Sequence, residues 1–173
     1  MRAFIKIKKH DLHDDYQQLA QRIWEIKTPD PWVNHLGANE ALNALSDFGF
    51  GIMPSDLNKE WNKVKVHWNA ALIYIHETHN KNVVVVYSEF TPELPFNQKA
   101  FYNLVAHLAE ALDGVISEDD QTSWISLANF QRKHHEIMSA NFNELLTESI
   151  EIGKITDPVD EPDFDKLSYD IYE

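Results

Sequence analysis

The stretch "NAALIYIHETHNKNVVVVYSEF", residues 69–90, decides the fold. Two runs rich in Val, Ile and Tyr flank the polar segment "ETHNKN", and such side chains suit the pleated, half-buried surface of a sheet. Residues 70–76 and 82–88 are therefore expected to pair as a hairpin. The run Val83 to Val86 lacks the alternation of a half-solvated strand, which points to burial on both faces and a central place in the sheet.

Upstream, "RAFIKIK" sets Ala3, Ile5 and Ile7 against charged positions, with Phe4 as the exception, and reads as a half-buried strand. Asp14 or Asp15 suits the cap of a first helix in which Tyr16, Leu19, Ala20, Ile23 and Trp24 follow helical spacing. That helix should end before "TPDP" at 28–31, because proline disfavours helix in the residue before it. The segment "ANEALNALSDFGFG" suggests a shorter helix closed by Gly49 or Gly51.

Downstream, "NQKAFYNLVAHLAEALDG" places Phe101, Leu104, Val105, Leu108 and Leu112 on one stripe opposite Asn103, His107 and Glu110. Gly114 sits where a left-handed C-cap belongs. Val115–Ile116 and Trp124–Ile125 are expected to be short paired strands. Ser126 suits the cap of a long last helix carrying Leu127, His134, Met138, Phe142 and Leu145 on one face. The pattern predicts an α+β domain over residues 1–153 with a mostly antiparallel sheet. It suggests the split β-α-β core of ferredoxin-like sandwiches, an extra C-terminal helix, and an acidic arm over 154–173.

Charge narrows the function. The chain holds 28 acidic against 15 basic residues, a formal charge of −13, which repels nucleic acid and anionic membranes and favours basic partners. Residues 110–120 carry five acids and no base, and residues 157–173 carry seven acids against Lys166. No run approaches the roughly 18 apolar residues of a membrane helix, and "MRAFIKIKKHDLHDD" is too charged for a signal peptide. With no cysteine, disulfides and thiolate chemistry are excluded. A cytoplasmic location fits.

Histidines and carboxylates supply the candidate chemistry. His10 and His13, followed by Asp14 and Asp15, are acceptable metal ligands, although their strand-to-helix junction fixes no common direction. His76 and His79 point to opposite faces if the strand continues between them. His134 and His135 face roughly 100° apart on a helix and need no joint role. Glu118, Asp119 and Asp120 form an acidic loop without the alternate spacing and glycine turn of a calcium loop, so a solvated turn and then a partner-recognition surface rank ahead of metal binding or catalysis as its readings. Trp124, just after the loop, suits either the core or an interface anchor. No phosphate-binding or nucleophile-elbow motif occurs among the five glycines, and no cofactor is expected.

The run "FYNLVAHLAEALDGVISEDDQTSW", residues 101–124, joins an amphipathic helix ending in "ALDGVI" to an acidic loop and an aromatic. It resembles a stretch of bacterial immunity proteins that neutralise polymorphic or contact-delivered toxins. The resemblance implies a small, acidic, cytoplasmic, non-enzymatic protein, monomeric or homodimeric, that binds a cognate toxin. An acidic inhibitor complements the basic active-site surface of a toxin that cuts nucleic acid. The expected contacts are Glu118, Asp119, Asp120 and Trp124, with Asp160, Glu161 and Asp163 of the arm. Two rivals are a metal protein or enzyme using the His and Asp clusters, and a homodimer pairing through a strand edge.

Overall fold

The computed structural model describes residues 1–12, 14–26, 33–36, 41–42, 48–65, 71–88 and 93–156, with backbone alone at 33–36, 41–42, 48 and 50. The fold is α+β, built on one antiparallel sheet. Its strands are β1 (Arg2–Lys6), β3 (Val33–Leu36), β5 (Phe48–Ile52), β6 (Leu72–Glu77), β7 (Val83–Tyr87) and β8 (Val115–Ser117), in the order β3-β5-β6-β7-β1-β8. A separate ladder joins β2 (Asp14–Asp15) to β4 (Ala41–Leu42).

The hairpin forms as the pattern dictates, with Ile75 opposite Val86 and Glu77 opposite Val84. β7 lies inside the sheet, and its alternate valines serve two faces. Val84 and Val86 join the main core with Ala3 and Ile5, while Val83 and Val85 form a second cluster with Phe4. Phe4, the residue that broke the alternation of the first strand, thus belongs to the opposite face of the sheet.

The helices are α1 (Tyr16–Ile23), α2 (Pro54–Leu57), α3 (Pro95–Ala111), α4 (Leu127–Lys133), α5 (His135–Ser139) and α6 (Phe142–Ile155), with a 3-10 turn at Lys59–Lys63. Asp15 caps α1, its Oδ1 accepting from the Gln18 amide at 2.9 Å. α3 packs on the inner sheet face and carries α6 on its far side, where Phe96 meets Phe142 edge-on at 6.4 Å. Phe101, Leu104, Val105, Leu108 and Leu112 are all buried, and each such side chain contributes about 1.5–3 kcal/mol.

Strand β7, helix α3 and strand β8 form a split β-α-β unit with β1 in the gap. After α1, however, the chain passes through β3 and β5 before reaching β6, so the ferredoxin-like order is extended by a meander on one side.

Several expectations are corrected. The helix expected over 38–51 is replaced, in its described part, by β4 and β5. Gly51 faces a neighbour too close for any side chain: an added Cβ would lie 2.6 Å from Leu72 Cδ2 and 2.8 Å from the Ala71 carbonyl. Gly51 thus permits sheet packing, and it lies within β5 and does not stop a helix. At the end of α3 the left-handed residue is Asp113 (φ 49°), and Gly114 is required because a Cβ there would meet Ile5 Cγ2 at 2.7 Å. The Gly114 amide bonds the Ala109 carbonyl at 2.8 Å, closing a Schellman end.

Trp124–Ile125 is not a strand. A single bridge pairs Ile125 with Ile116 through two backbone hydrogen bonds. The long last helix is three helices, broken at His134 and at Ala140–Asn141. Asn141 starts α6 by accepting from the Asn143 and Glu144 amides. The last helix also continues past Gly153 to Ile155, and the arm residues 157–173, with Asp160, Glu161 and Asp163, lie outside the described residues. Among the described residues no helix is long and apolar enough to cross a membrane.

Candidate functional site

The acidic loop is an ordered turn in which each of the three carboxylates has a partner within the chain. Asp119 is its centre. Asp119 Oδ1 accepts from Ser117 Oγ at 2.8 Å and from the Ser123 amide at 2.9 Å, and Oδ2 accepts from Ser123 Oγ. The Ser123 hydroxyl and amide, with Ser117, hold this carboxyl down at a pKa of about 2. Asp120 and Gln121 take left-handed conformations (φ 54° and 68°) that turn the chain back.

The flanking acids meet the chain's own bases. Asp120 pairs with Arg2 of β1 at 2.5 Å. Glu118 sits between Lys133 and His134, accepting from Lys133 Nζ and from His134 Nε2, each at 2.7 Å. The His134 ring stacks on Tyr102 at 3.9 Å and 16°, with Phe130 on its other flank at 4.7 Å. Burial, then Glu118 and Glu93, push the Tyr102 hydroxyl above its ordinary pKa. The loop therefore ties β8 to β1, α3 and α4. Trp124 is half-buried beside the Phe4 cluster, with Lys6 Nζ 5.9 Å above its ring.

His10 and His79 are exposed, His13 lies outside the described residues, and Asp15 serves as the α1 cap. His76 Nε2 lies 2.8 Å from the Tyr87 hydroxyl across the hairpin. His135 is exposed at the start of α5. Among the described residues no group of three or more His, Asp or Glu side chains is placed to hold a metal ion.

Asp14 instead meets His107, 93 residues away, with Asp14 Oδ2 2.8 Å from His107 Nε2. Arg22 Nη1 lies 3.2 Å from His107 Nδ1. Guanidinium only donates, so Nδ1 accepts and the proton sits on Nε2, where it bonds the carboxylate. Both ring nitrogens are thereby occupied, and the trio pins β2 and α1 to α3. A second polar tie is Lys99, fully buried on α3. Its Nζ donates to the Met138 carbonyl at 2.5 Å and the Ala140 carbonyl at 2.8 Å, and pairs with Glu25 at 3.0 Å. One sequence signal marks it: α3 carries only Lys99 and Glu110 as full charges, so its lone base must find partners inside the fold.

After this pairing, the exposed acids without an ion pair among the described residues include Glu144 and Glu148. With Glu151, which pairs with Lys154, they form a stripe on α6 at helical spacing. The stripe runs into Ile155, whose side chain is 85% exposed, and then into the acidic sequence 157–173. Comparison with family models, with curated proteins and with solved structures found no match.

Proposed function

We propose that this chain is a non-enzymatic immunity protein that captures a basic, nuclease-like toxin domain through an acidic C-terminal surface. The single observation behind this reading is where the surplus charge remains. Residues 144–173 carry ten acids against Lys154 and Lys166, a net −8 of the chain's formal −13. Glu144 and Glu148 on α6 lead into seven acids beyond residue 156. A negative surface of this kind raises the encounter rate with a positive one and complements it once docked.

Glu118, Asp119 and Asp120 then shape the loop that anchors β8, and Asp160, Glu161 and Asp163 with the α6 stripe make the electrostatic contacts. The sequence resemblance to immunity proteins over residues 101–124 supports the class of partner. The test is affinity for the toxin domain encoded beside this gene, before and after Asp160→Asn, Glu161→Gln and Asp163→Asn together. The reading expects a loss of at least about tenfold, which is roughly 1.4 kcal/mol. Unchanged affinity, or no binding by the native chain, would reject it.

A further inference from the structure

Asp113 and Gly114 are the only Asp–Gly pair in the chain, and no Asn–Gly pair occurs. This dipeptide carries a chemistry of its own. Glycine has no Cβ to shield its amide nitrogen, so that nitrogen can attack the preceding carboxyl. The N–Cγ bond forms, the amide proton and one carboxyl oxygen leave as water, and a cyclic succinimide results. Water then adds back. Cleavage at Cγ restores aspartate, whereas cleavage at the main-chain carbonyl leaves isoaspartate, with the chain rerouted through Cβ and Cγ.

The fold opposes each step. The Gly114 amide hydrogen is spent on the Ala109 carbonyl at 2.8 Å, and Lys8 Nζ holds Asp113 Oδ2 at 3.2 Å. A ring would take that hydrogen away and strand the carbonyl. It would also add atoms where there is no spare room, since even a Cβ on Gly114 would sit 2.7 Å from Ile5 Cγ2 and 3.2 Å from the Lys6 carbonyl oxygen. Both ends of the link are tied to one stretch of chain: the Leu112 carbonyl accepts from the Lys8 and Lys9 amides, each at 3.1 Å, and Val115 pairs with Lys6. The attack therefore requires β8 and the end of α3 to part from β1. β8 has three residues and lies at the sheet edge, which makes it an element that opens locally before the domain as a whole.

We propose that Asp113–Gly114 is a site of spontaneous isoaspartate formation, closed in the native fold and reached only when β8 leaves β1, and that the product bars β8 from returning. Isoaspartate adds one main-chain atom to a link whose two ends are fixed, so Val115–Ser117 cannot regain its register opposite Lys6–Phe4 while the end of α3 stays docked. The acidic turn loses its anchor with it, because Ser117 of β8 donates to Asp119.

The test is incubation of the full chain, native and unfolded in guanidinium, at one pH and temperature. Isoaspartate is read by methyl transfer from S-adenosylmethionine with an isoaspartyl-specific methyltransferase, and located by peptide mapping. The expected result is isoaspartate at residue 113 of the unfolded chain, forming at least about tenfold more slowly in the native one. In unfolded Asp113→Gly, a substitution suited to the positive φ of 49°, the signal from this peptide should vanish. Equal rates in the two states, no isoaspartate at 113 in the unfolded chain, or a signal that survives Asp113→Gly would overturn the proposal. Modified chains returned to buffer should exchange the Ile116 and Ser117 amides at least about tenfold faster than unmodified chains treated alike. Full recovery of protection would show that β8 re-docks, and would overturn the one-way step.

Discussion

Replacing Lys99 with methionine tests the physical reasoning at its most demanding point, since a fully buried ammonium is a liability unless its hydrogen bonds are met. Lys99→Met keeps the volume and removes the charge, stranding the Met138 and Ala140 carbonyls. Each stranded carbonyl costs about 1–3 kcal/mol. Glu25, the third partner, is 48% exposed and rehydrates, so its loss adds little. Release of the buried ammonium offsets part of the cost, because burying an ion costs several kcal/mol. The net expectation is a loss of about 2–4 kcal/mol, or roughly 5–15 °C in Tm for a chain of this size.

Urea denaturation should show a lower midpoint with unchanged slope, and hydrogen exchange should quicken at the amides of residues 140–144. Glu25→Gln, by contrast, should cost no more than about 1 kcal/mol. A Lys99→Met chain as stable as the native one would refute the reading, showing that apolar packing holds α5 and α6 to α3 without the lysine.

Three other outcomes follow from the same contacts. Asp119 has a depressed pKa, so its contribution is fully present above the unfolded value near 4 and is lost as pH falls through about 2; the Ser123 amide resonance should titrate with a midpoint near 2, and a midpoint near 4 would contradict the hydrogen bonding. Gly51→Ala should destabilise by about 1–3 kcal/mol, because the Ala71 carbonyl at 2.8 Å is backbone and cannot swing aside; a neutral result in thermal melts would contradict the packing at β5 and β6. His107→Leu should cost about 1–3 kcal/mol by leaving Asp14 and Arg22 without their shared partner, and a chain as stable as the native one in urea would count against the trio.

What was legible in the sequence was what local periodicity controls. The hairpin of β6 and β7, the buried run Val83 to Val86, the α3 stripe and the caps at Asp15 and Ser126 all stand close to where the pattern put them. The failures share a cause. "ANEALNALSDFGFG" has helix-forming composition, but Phe48–Ile52 pairs with Leu72–Ile75, and that sheet partner outweighs propensity. The second break in the last helix falls where Lys99, 39 and 41 residues away in the chain, takes the Met138 and Ala140 carbonyls and Asn141 starts a new helix.

The candidate site was less legible because its links are non-local. Arg2 meets Asp120 across 118 residues and Asp14 meets His107 across 93, and no spacing rule carries such information. His10, His13, His76 and His79 drew notice through short spacing, whereas His107 and His134, which no spacing singled out as a pair, each meet a carboxylate. Position within the acidic loop likewise said nothing of Asp119's task, which its neighbours Ser117 and Ser123 define.

On the proposed reading, negative charge concentrated at the C-terminal side steers this chain onto a positively charged toxin domain. Stopped-flow association with that domain over a range of ionic strengths tests it most directly. The association rate constant should fall steeply as salt rises, and the dependence should flatten once Asp160, Glu161 and Asp163 are neutralised together. A rate constant independent of salt, or a slope the triple substitution leaves unaltered, would contradict it.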